Sequence, residues 1–108
     1  MILYGIPTCD TCRKARKEIE SAGKAVAFRD IRAEPLEPEQ VSRFLSVFGD
    51  RLVNRASATW RGLDDDARAA APEKLLADHP TLMKRPVIEH EGELILGWTA
   101  EAKARVLK

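Results

Sequence analysis

The chain has 108 residues, a size at which one domain with one modest core is the expectation, and its 44% hydrophobic and 32% charged content is that of a globular protein rather than a disordered one. Eighteen basic residues against seventeen acidic ones leave a formal charge of +1, without the basic excess a general nucleic-acid binder carries. No apolar run reaches the roughly 18 residues of a membrane span, and Met1 leads straight into Ile2-Leu3-Tyr4 with no basic n-region before it, so the expectation is a cytoplasmic protein without a direct nucleic-acid or membrane partner.

Ile2 to Ile6 is a short apolar run stopped by Pro7 and predicts a buried strand. From Asp10 to about Ala22, Cys12, Ala15, Ile19 and Ala22 recur at steps of three and four, the signature of a helix with one inward stripe, and Gly23 is placed to end it. Val26 and Phe28 alternate within Lys24 to Ile31 and predict a second strand, parallel to the first in a βαβ unit. Pro38 opens a helix in which Val41, Phe44, Leu45 and Phe48 follow the i, i+3, i+4, i+7 pattern as far as Gly49. Shorter helical pieces are expected from Asp50, Asp64 and Ala71, the last with Pro72 at its start and Pro80 at its end. Val87-Ile88 and Leu94-Ile95-Leu96 flank Glu91-Gly92 as a hairpin, and Thr99 caps a last helix running to about Leu107. The order is βαβ, a helical insertion over residues 33–80, then ββα: an α/β domain spanning 1–108 with a mixed sheet.

Charge falls in blocks. Residues 1–32 carry seven basic and four acidic side chains, residues 33–80 six and nine, and residues 81–108 five and four. The positive block surrounds Cys9-Asp10-Thr11-Cys12, at the junction of the first strand and first helix. Unpaired N–H groups and the positive end of the helix dipole favour a thiolate there, Arg13, Lys14, Arg16 and Lys17 add positive field, and Asp10 opposes them. The expected direction for Cys9 is down from ~8.5, while Cys12, on the inward stripe, is the less exposed. Cys9 is therefore the expected nucleophile and Cys12 the resolving thiol. A structural zinc site is the weaker alternative, because the other candidate ligands, His79 and His90, are separated by ten residues instead of the usual three to five. An inert buried pair is a third reading, since cysteine is common in cores. Trp60 and Trp98 read as core or interface aromatics rather than ligand platforms. Arg85-Pro86 opens the hairpin strand, and a redox fold needs a backbone loop close to the sulfur, which predicts a cis bond there.

Ile6-Pro7-Thr8-Cys9-Asp10-Thr11-Cys12-Arg13-Lys14-Ala15, Leu52-Val53-Asn54-Arg55 followed by Thr59-Trp60-Arg61-Gly62-Leu63-Asp64, Lys84-Arg85-Pro86 and Leu96-Gly97-Trp98, in that order, resemble the ArsC/Spx family and most of all its YffB-type branch. The resemblance runs nearly end to end. It implies a thioredoxin- or glutaredoxin-like fold with a helical insertion, and a cis-proline after Arg85 at the active-site loop. In the arsenate reductases of the family one cysteine attacks arsenate, arginines hold the oxyanion, and glutathione with glutaredoxin completes the reduction. Carried over, the resemblance implies Cys9 as nucleophile, and Arg55 and Arg85 as ligands of a small oxyanion or disulfide substrate, with Arg13 and Pro86 beside them. Guanidinium forks suit that role, since they bind oxyanions bidentately and stabilise a neighbouring thiolate. Leu96-Gly97-Trp98 lacks the third arginine of the arsenate reductases, and Cys12 is a second cysteine that those enzymes commonly lack. The function expected is thus a glutathione-dependent thiol–disulfide oxidoreductase acting as a monomer, with no bound cofactor or metal and with glutathione as co-substrate. Arsenate reduction proper and a redox-switched, Spx-like regulator that binds RNA polymerase are the alternatives.

Overall fold

The computed structural model describes Met1 to Lys108. The chain divides into two compact units, one formed by Met1–Ile31 with Arg85–Lys108 and the other by Arg32–Lys84.

In the first unit, β1 (Ile2–Gly5), α1 (Asp10–Ser21) and β2 (Ala27–Asp30) are joined by the hairpin β3 (Val87–His90) and β4 (Glu93–Leu96) and by the helix Ala100–Val106. The strands lie in the order β2-β1-β3-β4; β1 is parallel to β2 and antiparallel to β3, and β3 is antiparallel to β4. Leu3 pairs with Phe28 on one side and Ile88 on the other, and Ile88 pairs with Ile95. Because side chains on a strand alternate between faces, this row lies on one side of the sheet. Leu3, Ile88 and Ile95 cluster there with Cys12, Ala15 and Ile19 of α1 and with Ala102 and Val106 of the last helix. The inward stripe of α1 thus ends at Ile19: Ala22 is exposed and closes the helix as its C-cap, followed by Gly23 at φ 79°. Val26 lies just before β2 and packs half-buried on the same cluster. At the hairpin tip Glu91 and Gly92 both have positive φ (51° and 80°), as a two-residue turn matched to the strand twist requires. Thr99 Oγ1 accepts the N–H of Ala102 at 3.1 Å and starts the last helix.

The second unit is helical. It contains α2 (Pro38–Phe48), α3 (Ala58–Arg61), α4 (Asp65–Arg68) and α5 (Pro72–Asp78), and the Ala100–Val106 helix of the first unit is α6. Val41, Phe44 and Phe48 are the buried positions of α2, which packs on α5 through a core that includes Leu75 and Leu76. The turn expected from Asp50 is a 3₁₀ segment, Gly49–Leu52. α3 was not signalled by periodicity, because four residues are one turn. It is fixed by its cap: Ser57 Oγ accepts the N–H of Trp60 at 3.1 Å and donates to Asn54 O at 2.8 Å. Asp64 caps α4 in the same way, through Ala67 N at 2.8 Å.

Candidate active site

The site begins where β1 runs out. The N–H of Cys9 donates to Ile6 O at 3.1 Å, closing a tight turn that delivers Cys9 to the N-cap of α1 with extended backbone (φ −85°, ψ 118°). No side-chain hydrogen bond caps this helix; Cys9 stands in the N-cap position, where the N–H of Cys12 favours its thiolate. Both cysteines are free thiols, Cys9 half-buried and Cys12 fully buried.

Their environments push the two thiols apart. Burial opposes ionisation of Cys9. That cost is outweighed by the Cys12 N–H, by the Cys12 thiol, and by a hydrogen bond and favourable charge from Arg85, so Cys9 titrates below its ordinary value. Burial dominates at Cys12 and pushes it up to about 12. The N–H of Ile6 works against that rise, and the neighbouring Cys9 sulfur adds to it. At neutral pH the pair is one half-buried, ionisable sulfur beside one buried, protonated thiol.

Arg85 reaches the sulfur from the segment between the units' boundary and β3. The Arg85-Pro86 bond is cis and Pro86 is buried. Pro86 O accepts the N–H of Gly97 at 2.7 Å, which ties the proline loop to the turn after β4. Trp98 follows, its indole N–H donating to Glu18 of α1 while Lys103 Nζ lies 3.5 Å from the same carboxylate. The indole hydrogen bond, then Lys103, hold Glu18 below the usual carboxylate range. Trp98, expected as a core or interface aromatic, thus also clamps α1 to the start of α6.

Two further residues that the resemblance implies as ligands have partners within their own units. Arg13 pairs with Asp10 on the exposed side of α1, so the acid and the base nearest Cys9 in sequence are engaged with each other. Arg55 belongs to the helical unit, where its guanidinium lies 5.3 Å from the Trp60 ring centroid and 4.0 Å from the Asp50 carboxylate. Arg68 lies 5.7 Å from the same ring centroid. Gly5, which in the sequence reads only as part of the first strand, adjoins the buried thiol. The Cys12 sulfur sits so close to its Cα that a Cβ built there would collide with it.

The ArsC family matches residues 4–106. The chain belongs to the ArsC family. Its structure is similar to that of the protein YFFB, with a TM-score of 0.91 and 33% identity over 99% of this chain and 98% of that one. It is also similar to an arsenate reductase (ArsC) related protein from Brucella melitensis, with a TM-score of 0.76 and 38% identity over 95% and 91% of the two chains. The global transcriptional regulator Spx of Bacillus subtilis is 28% identical over 97% of this chain and 85% of its own. The sheet order, the βαβ and ββα halves and these neighbours make the fold thioredoxin-like, as the resemblance implied. No helix is long and apolar enough to cross a membrane.

Proposed function

We propose that this ArsC-family protein is a cytoplasmic thiol–disulfide oxidoreductase that uses glutathione as co-substrate, with Cys9 as nucleophile and Cys12 as resolving thiol. The observation that carries the reading is a pair of free thiols in unlike places, Cys9 half-buried at a helix N-cap beside Arg85 and Cys12 fully buried one turn on, where burial favours the protonated form of the second. Such a pair performs two exchanges in order. The Cys9 thiolate attacks one sulfur of a disulfide RSSR, forming a Cys9–SR bond and releasing RS⁻. Cys12 then gives up its proton and attacks the Cys9 sulfur, closing the Cys9–Cys12 disulfide and releasing the second thiolate. The protein loses two electrons and the substrate gains them; two glutathione molecules reverse the change. Once Cys9 is in a mixed disulfide it carries no charge, so its contribution to the raised pKa of Cys12 disappears as the second step falls due. Arg85 is proposed as a ligand of the substrate's anionic groups, and a second cysteine together with Leu96-Gly97-Trp98 in place of an arginine favours disulfides over arsenate.

The test uses the purified protein in parallel arms. Iodoacetamide near neutral pH is expected to label Cys9 well before Cys12. Arg85→Gln is expected to move the midpoint of the labelling profile to higher pH, since loss of the positive charge disfavours the thiolate. Cys12→Ser exposed to oxidised glutathione is expected to accumulate an adduct on Cys9, read by mass spectrometry. Labelling of Cys12 first, or no adduct, overturns the assignment. Turnover of arsenate with glutathione and glutaredoxin, without turnover of mixed disulfides, would make the protein an arsenate reductase. Capture of RNA polymerase without either activity would make it an Spx-like regulator.

A further inference from the structure

Gly5 is the last residue of β1, paired with Asp30 of β2, and its carbonyl accepts the N–H of Ile31 at 3.0 Å. Glycine weakens a strand interior, and it is found there where a bulge or a close approach of other atoms calls for it. Backbone conformation does not call for it here: the positive-φ glycines are Gly23, Gly49, Gly92 and Gly97. Space does. A Cβ on Gly5 would overlap the Cys12 sulfur and stand 3.2 Å from Cys12 Cβ and 3.4 Å from Leu3 Cδ2. The next residue, Ile6, directs its N–H at the same sulfur, and the carbonyl of Ile6 holds the N–H of Cys9. Two consecutive residues of the strand end therefore fix both thiols, Gly5 by leaving room and Ile6 by hydrogen bonding.

We propose that Gly5 is the positioning residue of the resolving thiol: its missing side chain opens the slot on β1 in which the Cys12 sulfur is held within reach of Cys9. The inference rests on the dithiol reading above and deepens it. A methyl group at residue 5 cannot share the slot with the sulfur. Cys12 must turn to another rotamer or α1 must move off the strand, and either displacement takes the sulfur out of line for attack on a Cys9 mixed disulfide. Attack geometry is steep in distance, so a displacement of about 1 Å costs on the order of tenfold to a hundredfold in rate. The chemistry affected is the second exchange, in which Cys12 loses a proton and displaces glutathione thiolate from Cys9.

The experiment compares wild type, Gly5→Ala, Cys12→Ala and Gly5→Ala/Cys12→Ala, each pre-reduced and then given oxidised glutathione. Quenched samples are read by mass spectrometry as the ratio of Cys9–glutathione adduct to internal disulfide. Gly5→Ala is expected to raise that ratio at least about tenfold over wild type, which a loss of stability alone would not do. A wild-type ratio in folded Gly5→Ala overturns the proposal. Urea unfolding of the same four proteins supplies a second measurement should Gly5→Ala fold poorly. Removing the sulfur relieves the overlap, so Gly5→Ala is expected to lower the urea midpoint less in the Cys12→Ala background than in wild type; an equal loss in both backgrounds overturns the proposal. If Cys12→Ala itself accumulates no adduct, the dithiol reading fails, and the urea cycle still decides whether Gly5 houses the sulfur.

Discussion

The unit formed by Met1–Ile31 and Arg85–Lys108 is organised by a sheet, with one apolar cluster joining three strands to both its helices and the Cys12 sulfur inside that cluster. In Arg32–Lys84 the only strand-like pairing is a single bridge between Val53 and Met83, and of its four helices the one-turn α3 and α4 are held by short-range bonds. There Ser57 and Asp64 cap, Arg61 Nη1 donates to Ala56 O at 2.6 Å, and Arg68 donates to the carbonyls of Trp60 and Arg61. The first unit spends its order on holding two sulfurs in unlike environments, which packing at a strand end achieves. In the second, α2 and α5 supply a core, while the Asn54–Arg68 segment depends on side chains satisfying backbone groups that one-turn helices leave open. A deletion in the first unit should therefore reach the thiols, whereas a deletion in that segment should stay local.

The largest effects are expected from the two cores. Ile19 is fully buried in the cluster that holds Cys12, and Phe44 is the largest fully buried side chain of the molecule. Ile19→Ala should cost about 2–5 kcal/mol and Phe44→Ala about 3–5 kcal/mol, from lost transfer energy plus the cavity left behind. Urea unfolding measures both. The comparison is sharpened by a second readout: Ile19→Ala opens space beside the cluster that desolvates Cys12, so alkylation of Cys12 should speed up. Unchanged Cys12 labelling in that variant would separate the thiol from the core and break the contrast between the units.

Next in size is a dependence on alkaline pH. Cys12 is pushed up to about 12 in the folded chain, whereas an unfolded thiol titrates near ~8.5. Between those values the folded state keeps a proton that the unfolded state has lost, so stability falls as pH rises. Cys9 contributes with the opposite sign: its lowered folded pKa gives stability that is present above the unfolded value and lost as pH falls through the folded one. With reductant present, the urea midpoint of wild type should decline more steeply from about pH 8.5 to about pH 11 than that of Cys12→Ala. Parallel declines would mean that the buried thiol ionises as easily folded as unfolded.

These contrasts also mark what could be read in advance. The stripe Cys12, Ala15, Ile19, the hairpin about Glu91-Gly92 and the caps Asp64 and Thr99 were legible because periodicity and turn chemistry act over a few residues. The cis bond at Arg85-Pro86 was anticipated from a proline opening a strand beside a redox site, and the structure has it. The role of Gly5 was not legible, because nothing local distinguishes a glycine that needs its φ from one that makes room for a sulfur seven residues on. Nor was the pairing of Arg13 with Asp10: spacing allows an i, i+3 pair as readily as an arginine aimed at the sulfur. α3 was missed for another reason. Its only sequence signal is Ser57, one polar residue between alanines, too short a pattern to outweigh chance.

The smallest effect tests that missed turn. Ser57→Ala removes both the acceptor for Trp60 N–H and the donor to Asn54 O. Loss of a serine cap costs about 1 kcal/mol, within a range of roughly 0.5–2, and here the hydroxyl serves both sides of the turn, which places the cost above the lower end. The damage should be confined, because Arg68 Nε still holds Trp60 O at 3.2 Å and Arg61 Nη1 still holds Ala56 O. Amide hydrogen exchange followed by NMR should show faster exchange at Trp60, whose N–H loses its acceptor, and at Arg61, whose N–H bonds to Ser57 O at 3.2 Å. Amides of β1 and α1 should keep their wild-type rates. If their exchange rises together with that of Trp60, the Asn54–Arg68 segment is not a local structure held by its own side chains, and the contrast between the units would have to be redrawn around a single cooperative core.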